Sequence, residues 1–132
     1  MNRHKIDLIF LSSLKRSQAT TELLVKEKKC SILHSKHFLE RNFGLVEGLV
    51  FNEIDAKCNK KRKLLLRTRN PKYSPKGGES LKDVEKRVLM FLRKQAFLNN
   101  VVFMTHGGFL DVLYEMLRQI PLNTKKVGKF PT

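Results

Sequence analysis

The sequence predicts an α/β domain. Two strand-turn-helix units and an ordinary globular composition carry that expectation. The better-marked unit is Asn100 to Ile120, NVVFMTHGGFLDVLYEMLRQI. Val101 to Met104 is a short apolar run rich in β-formers and reads as a buried strand. Gly107-Gly108 breaks the run. Phe109, Val112, Leu113, Met116, Leu117 and Ile120 then recur at helical spacing, which marks one face of an amphipathic helix. The second unit is Lys5 to Leu11 (KIDLIFL), a strand, followed by SSLKRSQATTELLVKEKK, a helix. At 132 residues with 41% hydrophobic and 30% charged side chains, the chain fits a single domain, 1–132, with a modest core.

Taken from the amino terminus, the first helix is expected to bury Leu14, Ala19, Leu23 and Leu24. Ser12 or Ser13 is its expected N-cap, and its last turn is lysine-rich, as the helix dipole prefers. Arg16 then falls in the first turn, where a guanidinium can fork onto a phosphate. Cys30 to Leu33 is read as a third short strand. His34 and His37 lie three apart with no third ligand candidate near them, so no metal is expected. Phe38 to Leu49 mixes apolar residues, acids and glycines and reads as a structured loop, and Val50 to Cys58 as a short helix. Lys60 to Gly78 is a basic stretch with Pro and Gly, expected to be an exposed, solvated loop or insertion. Glu79 to Phe97 is a helix, opened by Ser80 and Asp83 as a capping box and striped by Leu81, Val84, Val88, Leu89 and Leu92.

Thr105 and His106 therefore stand between a strand's carboxyl end and a helix's amino end. Open α/β sheets bind ligands there, because the free N–H groups and the dipole of the helix point at that spot. Glycines such as Gly107 let an anion approach the backbone. A histidine beside it binds an anion when charged and shuttles a proton when neutral.

Charge points the same way. The 27 Lys and Arg outnumber the 12 Asp and Glu, for a formal net charge of +15, which favours anionic partners. Nucleic acid is the least favoured of these, since only Tyr73 offers a stacking ring in the basic stretch. Cys30 and Cys58 have no metal-type spacing and read as reduced thiols of a cytoplasmic protein. The apolar stretch Ile6 to Leu11 is interrupted by Asp7 and too short for a signal peptide or a span, so no membrane partner is expected.

Four segments resemble the histidine phosphatase superfamily, the phosphoglycerate-mutase-like proteins, in the family's order. SSLKRSQAT is similar to its S-x-L-x-R-A-x-Q-T turn and helix, with Ser17 and Ala19 in place of the usual Ala and Gln. FLERNFGLVEGL is similar to L-x-E-x-x-x-G-x-x-E-G-L, GGESLKDVEKRV to G-G-E-S-x-x-D-x-x-x-R-V, and VVFMTHGG to a strand ending in T-H-G-G. The resemblance implies a three-layer α/β/α sandwich on a mostly parallel sheet. It implies phosphomonoesterase or mutase chemistry on a small phosphate ester, or binding of inorganic phosphate, with no cofactor. Arg16, His106 and Gly107 would bind the phosphate, His106 would also stabilise the transferring group, and Glu40 would be the general acid/base.

One motif of the family has no counterpart. Its nucleophile is a histidine in an R-H-G motif ending the first strand. Here Arg3-His4 is followed by Lys5 and precedes the Lys5 to Leu11 strand, about 20 Å from the pocket edge at roughly 3.3 Å per residue. The expectation is thus a chain without the nucleophilic histidine and without the family's first and final strands. A fragment, a degenerate product and a non-catalytic phosphate- or polyanion-binding pseudoenzyme, self-associating through an open sheet edge, all remain open.

Overall fold

The computed structural model describes residues 5–26, 30–50, 53, 54, 60, 64, 66, 69–94 and 100–122. Its labelled elements are β1 (Leu8–Leu11), α1 (Lys15–Val25), β2 (Ser31–His34), α2 (Leu81–Leu92), β3 (Val101–Met104) and α3 (Gly107–Leu117). The α/β class and the parallel sheet are as expected. Strand order is β2-β1-β3, and both pairings are parallel. The chain divides into two compact units, Met1–Glu40 with Val88–Phe109 and Arg41–Arg87 with Leu110–Thr132.

The first unit holds the sheet. Leu8 to Leu11 are apolar throughout because a central parallel strand is covered on both faces, and Ile9, Phe10 and Leu11 are buried. Register places Phe10 opposite Phe103 and Leu11 opposite both Met104 and His34. All strands therefore deliver their carboxyl ends to one edge. Ser12 N–H donates to Met104 O at 2.9 Å and Ser35 N–H to Leu11 O at 3.0 Å, which extends the ladder to that edge.

Phe38 is the centre of this unit's core. It closes a 3₁₀ turn, Lys36–Phe38, capped by the Ser35 hydroxyl. Its ring lies 4.7 Å from that of Phe91, 5.2 Å from Phe103, 5.3 Å from Phe109 and 5.7 Å from Phe10, centroid to centroid. The Phe91 contact is edge-to-face, and those to Phe10 and Phe103 are stacked. Such pairs add to the burial of the rings themselves, and Phe38 is only 1% exposed.

Several boundaries and faces differ from the sequence reading. Hydrogen-bonded pairing begins at Leu8, so β1 is shorter than Lys5 to Leu11, and β2 is shifted by one residue. Helix α1 starts at Lys15 with Leu14 at the N-cap and no capping side chain. Its buried residues are Ser17 and Thr21, whereas Leu23 and Leu24 are 68% and 52% exposed. The Thr21 hydroxyl donates to Ser17 O at 2.9 Å, which satisfies it inside the helix. Leu89 lies outside the buried stripe of α2, and Phe91 joins Leu81, Val84 and Val88 instead. The capping box at the start of α2 is present. Asp83 Oδ2 accepts from Ser80 N–H at 2.8 Å and Ser80 Oγ accepts from Asp83 N–H at 3.1 Å. Helix α3 ends at Leu117, and Gln119 turns the chain with a positive φ of 55°. Of the short helix expected from Val50 to Cys58, Glu53 and Ile54 are helical, and 51, 52 and 55–58 lie outside the described residues.

The second unit contains a turn that demands glycine. Asn42–Gly44 runs against Lys76–Gly78, with Glu79 N–H on Asn42 O at 2.8 Å and Leu45 N–H on Lys76 O at 3.0 Å. A Cβ on Gly44 would collide with Lys76 O, and one on Gly78 would sit 2.7 Å from Asn42 O. Arg87 grips the Glu79 carboxylate through Nε at 2.9 Å and Nη2 at 3.2 Å. Arg41, buried, donates to Glu79 O and Tyr73 O.

In the basic stretch, Lys60, Lys72 and Lys76 are exposed, whereas Arg69 is paired. Arg69 Nη1 lies 2.9 Å from Asp111 Oδ2 and Nη2 lies 3.2 Å from Glu115 Oε2, so this arginine is not the solvated side chain expected of it. Burial pushes the Glu115 carboxyl above its usual range, against the pull of Arg69 and with help from Asp111.

Two outcomes follow from these contacts. Phe38→Ala should cost about 3–5 kcal/mol, and Phe38→Leu clearly less, because the alanine leaves a ring-sized void among four phenyl groups. A shift in urea midpoint at constant m measures it. Arg69→Ala should cost about 3 kcal/mol at neutral pH by leaving the Glu115 charge buried and unpaired. A carboxyl whose folded pKa is raised stabilises most below its unfolded value of about 4.3 and loses that contribution as pH rises through the folded value. The Arg69→Ala deficit should therefore shrink on acidification from pH 7 towards about 5. An equal deficit at both pH values would count against the buried ion pair.

Candidate functional site

The sheet's carboxyl edge gathers the polar residues of the first unit. Ser12 follows β1 directly and is fully buried, and its Oγ accepts from Leu14 N–H at 3.4 Å. Leu14 is extended (φ −76°, ψ 136°), so the chain turns sharply into α1 and puts Arg16 in the helix's first turn. Across the edge, Thr105 follows β3 and donates its hydroxyl to Phe38 O at 2.8 Å. That bond ties the aromatic centre of the core to the turn that carries His106.

His106 is 7% exposed and stands immediately before α3. Arg16 Nε donates to His106 Nδ1 at 3.1 Å. On the other side of the ring, Nε2 lies 2.8 Å from Ser12 Oγ and 3.3 Å from Ser17 Oγ. Arg16 itself is exposed. Glu40, two residues beyond Phe38 and half-buried, accepts from Gly108 N–H at 3.3 Å through Oε2. Its carboxylate thus sits at the amino end of α3, where free N–H groups and the helix dipole favour negative charge. Gly107 is exposed, and a Cβ there would meet nothing within 4 Å among the described residues.

Arg16, Glu40, His106 and Gly107, read separately from the sequence, therefore converge on one edge. An arginine and a histidine in direct contact, a carboxylate and a helix amino end make a cluster able to hold an oxyanion and move a proton. His34 ends β2 and is exposed, while the His37 ring lies 5.8 Å from that of Phe91, on the core side. Among the described residues no three His, Cys, Asp or Glu side chains group to hold a metal ion. None of the described helices is long and apolar enough to cross a membrane.

The contacts of three residues at the site were not foreseen from sequence. Ser12 was read as an N-cap, but it stays on the strand side and meets His106. Ser17 was visible only as a hydroxyl where the family pattern has Ala. Thr105 was placed on the turn without a partner, because its acceptor lies 67 residues away in the chain.

Comparison with known proteins agrees with this fold. A family profile described as the histidine phosphatase superfamily (branch 1) matches residues 1–130. Phosphoglycerate mutase-like protein 4 of Arabidopsis thaliana is 29% identical over 127 residues, which cover 93% of this chain and 55% of that protein. The solved structure of YhfR from Bacillus stearothermophilus superposes with a TM-score of 0.85 at 21% identity, covering 98% of this chain and 65% of that one. A mycobacterial glucosyl-3-phosphoglycerate phosphatase, solved with VO3, gives a TM-score of 0.72 at 26% identity, covering 92% and 63%. The chain thus spans little more than half the length of the Arabidopsis relative. With the family profile matched over residues 1–130 and its four motifs in sequence, this chain belongs to the histidine phosphatase superfamily (branch 1).

Proposed function

We propose that the sheet's carboxyl edge is a phosphoryl pocket, in which Arg16 and the Gly107 N–H hold a phosphate group, His106 acts on it by setting the Arg16 guanidinium, and Glu40 is the general acid/base. The observation that carries this reading is the contact of Arg16 Nε with His106 Nδ1 at the amino end of α3, beside a carboxylate. Nη1 and Nη2 of Arg16 make no hydrogen bond among the described residues, so a guanidinium fork is open to an oxyanion. A mycobacterial relative solved with inorganic phosphate and again with VO3 supports an oxyanion as the ligand.

In a phosphohistidine mechanism, a ring nitrogen attacks phosphorus while the leaving oxygen takes a proton from the acid. The resulting carboxylate then removes a proton from the water that hydrolyses the phosphohistidine. Glu40 fits the proton-transfer role, and Arg16, set by its contact with His106, the stabilising one. No described residue fits the attacking role. On this reading the described residues bind and orient a phosphate ester, and turnover requires a histidine that they do not include. A net charge of +15 favours a second reading, a non-catalytic binder of phosphate or other polyanions.

Calorimetric titration with inorganic phosphate tests the pocket. Weak binding is expected, around the millimolar range, and the Arg16→Ala, His106→Ala double variant should weaken it at least tenfold, about 1.4 kcal/mol. Lys15→Ala removes an exposed neighbouring charge without touching the cluster and should change affinity far less. Equal binding by wild type and double variant would end the proposal. Hydrolysis of p-nitrophenyl phosphate should not exceed background. Robust turnover abolished by Glu40→Gln would show that another residue of this chain is the nucleophile.

A further inference from the structure

We infer that Ser17, together with Ser12, is a positioning residue that receives the Nε2 proton of His106, and so holds the ring that orients Arg16. A guanidinium has donors and no acceptor. Because Arg16 Nε donates to Nδ1 at 3.1 Å, that nitrogen carries a lone pair, and the proton of the neutral ring is on Nε2. Protonating Nδ1 would set two N–H groups against each other and, in the imidazolium, two positive charges as well.

The Nε2–H then needs an acceptor, since the ring is buried and an unpaired N–H there is costly. Two hydroxyls supply it, Ser12 Oγ at 2.8 Å and Ser17 Oγ at 3.3 Å. Ser12 Oγ already receives Leu14 N–H, so Ser17 adds acceptor capacity at the same nitrogen. Both serines are buried, at 0% and 6% exposure, so water does not compete freely for either. Alanine, the residue usual in the family's pattern, would have no such atom at position 17.

The arrangement is a relay of orientation. Hydroxyls fix the ring from the Nε2 side, the ring fixes Arg16 at Nε, and the terminal amino groups of Arg16 are left aimed outward. That side chain is otherwise long and exposed, and an ordered guanidinium loses less entropy on binding an anion than a free one. The consequence for phosphate rests on the pocket reading above, but the state of the ring does not.

The test uses the full chain labelled with ¹⁵N-histidine at about pH 8, where the reference imidazole is neutral. The His106 signal is assigned by its loss in His106→Asn. Wild type should show a ring protonated at Nε2, with a slowly exchanging proton. Ser17→Ala should speed exchange of that proton roughly fivefold and weaken phosphate binding roughly threefold, with Ser17→Thr restoring both. A purely structural serine would leave proton exchange unmoved. Wild-type protonation at Nδ1, or exchange in Ser17→Ala equal to wild type, would overturn the assignment. Faster exchange with unchanged phosphate affinity would uphold the ring-holding role and overturn the pocket reading instead.

Discussion

The first unit depends on what is done with Phe38. A single side chain meets four other phenyl rings contributed by β1, β3, α2 and the first turn of α3. Its backbone carbonyl, meanwhile, receives the Thr105 hydroxyl. The ring is held by the core and the carbonyl by the functional turn, so the chain between Phe38 and Glu40 has little freedom. Glu40 reaches the amino end of α3 because its neighbour two residues back is anchored in the least compressible part of the structure. An aliphatic residue at this position could fill some of the volume. It could not reproduce both stacked and edge-on contacts with rings at 4.7–5.7 Å.

Parallel pairing supplies the other half of the geometry. Since β1 and β3 run the same way in matched register, Ser12 and Thr105 leave the sheet side by side, and His106 meets α1 across the gap. An antiparallel partner would have sent one of these ends to the opposite edge. The same constraint explains why β1 is apolar at every position while β2, at the end of the strand order, is exposed along its whole length.

What the sequence made legible was whatever is local. The strand, glycine pair and helical period around His106 lie within one stretch, as does the Ser80–Asp83 capping box. The placement of Arg16 came from the strand-to-helix turn and that of Glu40 from motif resemblance, and their meeting with His106 and the amino end of α3 needed the fold. The errors share a cause. Assigning Leu23 and Leu24 to the buried side of α1 assumed that its inner face is greasy. That face carries Ser17 and Thr21, whose hydroxyls serve a histidine 89 residues away and a backbone carbonyl. Arg69 was read as solvated because its two carboxylate partners lie 42 and 46 residues further on. The Phe38 cluster has no period at all, being assembled from five separate places in the chain.

Helix α1 shows most plainly where local rules yield to the site. Its N-cap is Leu14, without a capping side chain, and its first turn has no acidic residue. Lys15 and Arg16 stand there instead, two cations at the end of a helix where the dipole is already positive. An Asp or Ser cap with a glutamate in that turn would be the stabilising choice, worth about 1 kcal/mol for the cap alone. Such a violation persists where function requires it. In the phosphoryl-pocket reading the missing negative charge is the ligand's. A bound phosphate would complete the cap, offset the Arg16 charge and satisfy free N–H groups of the first turn. The helix would then be least stable when the pocket is empty, and phosphate would act on the protein as a folding ligand as well as a substrate group.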